Sequence, residues 1–307
     1  MVDRISILPN KLLCHILSFL PIKQAFQTSV LSKRWTRLCY SLSVLRVDFD
    51  DEIDDEAFVS FCCFVDTIML SARAIFRPLK KFRLKCTSGD PICSLWLEAA
   101  KCRGVEEIHL IMNFHTLYAS LFISRTLVVL KLNTIKIVSD TSCVYLPSVK
   151  TLDLKFVYFE TRKDYVNFIS ACPILQDLHA KHIYVRSDMN RDKNNVELEK
   201  GFKSSVTLST LVRASISSKD VLFNGIGNVE FLRITTGFQS REASFEFIPL
   251  FSNLIHIDLM FFHSSFHCWD GVVQLLRHSP KLQILFIKKV RCVLCLSAYS
   301  FFFPNIY

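Results

Sequence analysis

The sequence is short of the two residues that most often punctuate a chain: its 307 residues include only 7 glycines and 9 prolines. That scarcity excludes a collagen-like chain and argues against a turn-dense sandwich. No apolar run reaches the roughly 18 to 20 residues needed to cross a bilayer. The greasiest stretch, Cys292 to Phe303, is too short. The start, Met1-Val2-Asp3-Arg4, is charged and is not followed by a signal-like apolar segment. The expectation is an intracellular protein, nuclear or cytoplasmic, with no membrane partner. The phosphate loop G-x-x-x-x-G-K-[ST], the dinucleotide fingerprint G-x-G-x-x-G, the G-x-S-x-G elbow and the H-E-x-x-H zinc motif are all missing. Neither an intrinsic active site nor a cofactor is expected.

What the chain has is apolar content: half of it is hydrophobic, with a mean hydropathy of +0.30. That rules out general disorder and allows a large core. Twelve cysteines without an export signal read as thiols rather than disulfides. Most sit among apolar neighbours, as Cys62 and Cys63 do between Phe61 and Phe64. The formal net charge of +9 permits binding to nucleic acid, anionic membranes or acidic proteins. The cations are spread along the chain, however, without a basic run. Two groups of possible metal ligands fail on spacing. The acidic block Asp48 to Glu56 lacks the glycine of a calcium loop. His263, His267, Cys268, Cys292 and Cys295 belong to different repeats. No metal site is expected.

Residues 1–45 differ from the rest. Leu8-Pro9 precedes Leu12, Leu13, Ile16, Leu17 and Leu20, the spacing of an apolar helix face. Pro21 ends that helix or opens the next, which carries Ala25, Phe26 and Val30. Ser32 is suited to cap a third helix containing Lys33, Arg34, Trp35 and Leu38. Three short helices cannot bury all these side chains among themselves, so the module needs either the downstream domain or a partner to cover it.

The run from Asp3 to Pro21 and the run Thr28-Ser29-Val30-Leu31-Ser32-Lys33-Arg34-Trp35 resemble the F-box, in the version found in plant F-box proteins with leucine-rich repeats. One departure is Lys11, where many F-boxes carry an acidic residue. The resemblance implies binding to a Skp1-type adaptor, and through it to a cullin. Carried over by motif position, the contacts are Leu8, Pro9, Leu12, Ile16, Leu17, Leu20, Val30, Leu31 and Trp35. Some of these must instead form the module's own core, and sequence alone does not sort them.

From residue 42 onward the pattern apolar-x-x-apolar-x-apolar recurs. It reads Leu42/Leu45/Val47, Leu79/Phe82/Leu84, Val105/Ile108/Leu110, Leu127/Leu130/Leu132 and Val149/Leu152/Leu154. It continues as Leu175/Leu178/Ala180, Val229/Leu232/Ile234, Leu254/Ile257/Leu259 and Leu282/Leu285/Ile287, with a weaker copy at Leu208/Leu211. After the first gap the copies lie roughly 21 to 33 residues apart, near the leucine-rich-repeat period. The last two apolar positions alternate as a half-buried strand does. Helix-like stretches fall at Asp164 to Ala171 and Trp269 to His278. The expected fold is α/β: a three-helix F-box followed by degenerate leucine-rich repeats (residues 46–290) forming a solenoid with a curved parallel sheet.

The residue between the second and third apolar positions faces solvent. Those positions hold Arg46, Arg83, His109, Lys131, Asp153, His179, Arg233, Asp258 and Phe286. Their mixed charges suit a protein ligand better than nucleic acid, which favours a uniformly basic track with stacking aromatics. Arg83, His109, Lys131, Asp153, His179, Arg233 and Asp258 are the expected target contacts.

The reading that follows is a substrate adaptor of a Skp1–cullin–F-box ubiquitin ligase whose target protein the sequence does not name. The alternatives are a repeat-based interaction module not engaged with the ligase, and a basic nucleic-acid-binding protein. Residues 269–290 resemble the start of the FBD region that ends many plant F-box repeat proteins. The tail, residues 291–307, has no charge after Arg291, so a truncated product with an incomplete cap is expected there.

Overall fold

The computed structural model describes residues 4–49, 55–71, 76–86, 92–186, 208–217, 225–235, 248–262 and 269–290. They divide between two compact units, residues 1–174 with 183–195, and residues 175–182 with 196–307.

The first unit begins with α1 (Asn10–Leu17), α2 (Ile22–Gln27), a 3₁₀ turn (Thr28–Leu31) and α3 (Lys33–Tyr40). Pro9 and Pro21 stand just before the first two helices in extended backbone, where a missing N–H costs nothing. Ser32 caps α3 as expected, its hydroxyl accepting from the Arg34 N–H at 3.3 Å. The module's core is Leu13, Leu17, Ile22, Ala25, Leu38 and Cys39, each at most 4 % exposed. Arg34 ties α3 to the segment ahead of α1. It donates to Asn10 Oδ1 at 2.9 Å, to the Ser6 carbonyl at 2.6 Å and to the Leu8 carbonyl at 2.5 Å.

The same unit continues with β1 (Val44–Asp48), α4 (Asp55–Met69), β2 (Lys81–Cys86), α5 (Ile92–Cys102), β3 (Glu107–Tyr118), β4 (Val129–Val138), β5 (Thr151–Phe159) and α6 (Arg162–Ser170). Strands β1 to β5 pair in parallel with one another in chain order. Phe26 of the helical module meets Phe64 of α4 edge to face at 5.6 Å, so the N-terminal helices share packing with the first repeat. A capping box at Thr161 and Asp164 starts α6.

The second unit carries most of β6 (Asp177–Val185), then β7 (Arg213–Ser217), β8 (Phe231–Thr235), β9 (His256–Phe262), α7 (Trp269–Arg277) and β10 (Ile284–Val290). Its strands also pair in parallel, in chain order. The expected fold class, N-terminal helices followed by one parallel strand per repeat, is the fold found.

One device sets the register in both units. The carbonyl just before a strand accepts two successive N–H groups from the repeat that follows. Glu106 O takes Val128 N and Val129 N at 2.8 and 3.0 Å, and Val128 O takes Lys150 N and Thr151 N at 2.9 and 3.2 Å. In the second unit Val212 O and Glu230 O do the same. Each strand start is thereby fixed to its neighbour, and the apolar positions fall into buried rows. Leu45, Phe82, Ile108, Leu130 and Leu152 are at most 3 % exposed, as are Ala214, Leu232 and Ile257.

Three details differ from the sequence expectation. The weak copy is framed Leu211/Ala214/Ile216 rather than Leu208/Leu211. All three are at most 1 % exposed, and the small Ala214 hides the pattern. Strands β3 to β5 run on past the third apolar residue to 9 to 12 residues. They do so through one residue in left-handed backbone: Phe114 (φ 52°), Thr134 (φ 57°) and Phe156 (φ 52°), with His182 (φ 54°) in β6. The extra residue resets the alternation, so that Leu132 and Ile135 both turn inward. Finally, Leu285 and Ile287 of β10, expected to be buried, are 39 % and 43 % exposed among the described residues.

Candidate functional site

Two surfaces carry the expected contacts. The first is the helical module. α1 divides its apolar residues between two faces, as the 3.6-residue period requires. Leu13 and Leu17 point into the core, whereas Leu12 and Ile16, one turn apart, are 50 % and 48 % exposed. Val30 and Leu31 on the 3₁₀ turn are 84 % and 64 % exposed. Pro9 is exposed, and Leu8, Leu20 and Trp35 are half-buried. Leu17, at 1 % exposure, holds the core and has no surface to offer. Sequence reasoning missed Ile5, Ile7 and Phe19, all more than half exposed. Ile5 and Ile7 lie in the turn ahead of α1 and Phe19 just after it, outside the helical periodicity that singled out Leu12 and Ile16. An apolar surface this dense on so small a module is unusual for a face left in water.

The second surface is the open face of the strands. In the first unit the register sets Arg46 beside Arg83, Arg83 beside His109, His109 beside Lys131, and Lys131 beside Asp153. The positions expected to share a row therefore do so. Asp48 serves two arginines, with Arg46 at 2.5 Å and Arg83 at 3.6 Å. Lys81 pairs with Glu107 at 2.7 Å, and Lys155 with Asp153 at 3.0 Å. Burial lowers the His109 pKa, and the charges of Arg83 and Lys131 lower it further, so this imidazole is neutral at physiological pH. Past the bulges, Tyr158 packs edge to face against Phe114 at 5.3 Å and stacks on Tyr184 at 4.6 Å.

In the second unit the corresponding row is His179, Ser215, Arg233, Asp258 and Phe286. Ser215 joins through the reframed repeat. Asp258 is only 8 % exposed. Arg233 grips its Oδ2 with Nε at 3.1 Å and a terminal nitrogen at 2.6 Å, and His256 Nε2 lies 2.6 Å from Oδ1. Burial pushes the Asp258 carboxyl up, but the bonds from Arg233 and His256 outweigh it and hold the pKa below the usual carboxylate value. Arg233 also lies over the Phe231 ring at 5.5 Å. Arg213 pairs with Asp177. Asp258 and Arg233 are thus occupied with each other, and the pair is a part of the sheet before it is a contact.

Among the described residues no cluster of three His, Cys, Asp or Glu side chains could hold a metal. His263, His267, Cys268, Cys292 and Cys295 lie outside the described residues, as do the tail and most of the acidic block. Cysteines 14, 39, 62, 63, 86, 93, 102, 143 and 172 are free thiols. Burial pushes Cys172 up to about 12, which keeps it an unreactive thiol. No described helix is long and apolar enough to cross a membrane.

Comparison with known proteins identifies the helical module. Residues 5–46 match the F-box domain. The chain is 38% identical over 191 residues to the F-box/LRR-repeat protein At3g59200 of Arabidopsis thaliana, covering 57% of this chain and 36% of that protein. It is 36% identical over 184 residues to the F-box/FBD/LRR-repeat protein At5g22700 of the same plant, covering 57% of this chain and 40% of that protein. The chain thus spans well under half the length of these two curated relatives. Similarity to a third, the F-box/LRR-repeat protein At4g14103 of Arabidopsis thaliana, is 30% over 351 residues and covers 92% of this chain and 91% of that protein. With the F-box match at its N-terminus and the register-locked parallel repeats behind it, the chain belongs to the F-box/LRR-repeat protein family.

Proposed function

We propose that this chain is a non-catalytic substrate adaptor of a Skp1–cullin–F-box ubiquitin ligase. The F-box helices dock on a Skp1-type adaptor, and through it on a cullin. The open face of the repeats holds a target protein. The chain contributes proximity, raising the effective concentration of target lysines near a ubiquitin carrier bound elsewhere in the complex. It needs no cofactor for this, and it acts where the ligase does, in the nucleus or cytoplasm.

The observation that carries the reading is the division of α1. Leu13 and Leu17 close the module's own core, while Leu12, Ile16, Val30 and Leu31 remain exposed on the same short segment. Covering large apolar side chains is worth about 1.5 to 3 kcal/mol each when burial is complete, enough to make a partner surface worthwhile. Leu8, Pro9, Leu20 and Trp35 complete the proposed contact set. The experiment is capture of the full chain by purified recombinant Skp1. Changing Leu8 and Pro9 together to alanine should abolish capture with the melting temperature of the repeats unchanged. Undiminished capture by that double variant would remove the basis for the assignment.

A further inference from the structure

The open face of the first unit carries more positive charge than its own carboxylates neutralise. Asp48 is divided between Arg46 and Arg83, at 2.5 and 3.6 Å. Asp153 is held by Lys155 at 3.0 Å rather than by Lys131, its register neighbour. Among the described residues Lys131 has no carboxylate within ion-pair distance, and Arg83, 39 % exposed, meets Asp48 only at 3.6 Å, longer than a hydrogen bond. Between Arg83 and Lys131 lies His109, which adds no charge to compete.

The spacing of these two cations restricts what can bind. Arg83 is on β2 and Lys131 on β4, in the same register row. Neighbouring strands stand about 4.8 Å apart, so the two positions are about 9.6 Å apart. An extended strand crossing the row puts side chains three residues apart on opposite faces. A polyproline-II segment has three residues per turn and rises about 3.1 Å per residue, so residues i and i+3 point the same way about 9.3 Å apart. A nucleic-acid backbone would fit poorly, because its closely spaced phosphates would also meet Asp48, Glu107 and Asp153.

We infer that the first unit's open face takes an acidic protein segment in polyproline-II conformation, with carboxylates three residues apart seated on Arg83 and Lys131. This rests on the assignment of the repeat face to target recognition in the adaptor reading and names the chemistry of the target. The probe is a fluorescein-labelled peptide of the form Glu-Pro-Pro-Glu-Pro-Pro-Glu, titrated with full-length protein and followed by anisotropy. An isomer with its three glutamates adjacent, a phosphoserine version and single-stranded DNA serve as competitors. The spaced peptide should bind at least fivefold tighter than the clustered isomer and tighter than the other two. Arg83→Gln with Lys131→Gln should weaken it at least tenfold, and Lys131→Gln alone at least threefold should the double variant fold poorly. Arg125→Gln with Lys150→Gln, outside the row, should change it less than twofold. Equal binding of the isomers, preference for phosphoserine or DNA, or equal loss in the control variant would overturn the inference. Skp1 capture in parallel separates the claims: peptide failure with capture intact counts against this inference alone, and lost capture counts against the adaptor reading.

Discussion

The strands of the two units are built alike and finished differently. Both fix their register with a carbonyl that accepts two N–H groups, and both bury the same repeat positions. On the open face of the first unit the cations outrun the carboxylates. In the second unit Asp258 is enclosed by Arg233 and His256, and Asp177 by Arg213. A charge at one repeat position can therefore be either an unspent contact or a strut of the sheet. Which one it is depends on the neighbouring strand, not on the repeat pattern.

The largest expected effect tests what the units share. Leu130 and Leu232 occupy the same repeat position and are both 0 % exposed. Changing either to alanine should cost about 3 kcal/mol in chemical denaturation. A twofold difference between them would mean that the two repeats are not equivalent.

The next effect tests where they part. Arg233→Ala should cost about 2 kcal/mol, because it leaves a buried carboxylate with one partner; Arg233 is itself 36 % exposed, which keeps the figure below that of a fully buried pair. Lys131→Ala should stay within about 0.5 kcal/mol. Equal losses would erase the distinction between strut and contact.

A smaller effect is expected at the bulges. Thr134 is β-branched and sits at φ 57°, where a Cβ costs about 1 to 2 kcal/mol. Thr134→Gly should gain up to about 1 kcal/mol once the glycine's extra freedom in the unfolded chain is subtracted. A loss would show that the Thr134 hydroxyl, 3.0 Å from Asn133 Oδ1, matters more than the backbone.

The smallest effect is in pH dependence. The His109 pKa is lowered in the fold, so the unfolded chain binds the proton more readily. Its contribution is fully present above the unfolded value, about 6.5, and is lost as pH falls toward the folded one. His109→Gln should flatten the decline of stability in that window. An unchanged slope would place the titration elsewhere.

Much of this was legible in the sequence because alternation is a one-dimensional signal. The row from Arg46 to Asp153 follows from it, while α6 and α7 were legible from helix-like spacing and the Ser32 cap from its hydroxyl. What was not legible depends on a neighbour. Ala214 reads as no repeat at all until Leu211 and Ile216 are seen buried beside it. The bulges at Phe114, Thr134 and Phe156 use none of the glycine, asparagine, aspartate or histidine that normally announces a left-handed residue. In α1, Leu12, Leu13, Ile16 and Leu17 are equally apolar, and only packing against α3 decides which pair turns inward. The closure of Arg233 on Asp258 needs two adjacent strands, so single-position reasoning took both as target contacts.

The account rests most heavily on the exposed half of α1, and calorimetric titration of the full chain with purified Skp1 tests it most directly. Leu12→Ala with Ile16→Ala should weaken binding at least a hundredfold, with the unfolding midpoint of the protein nearly unchanged, because both side chains are about half exposed in the free chain. Wild-type affinity in that double variant would contradict the claim that this face is built for a partner.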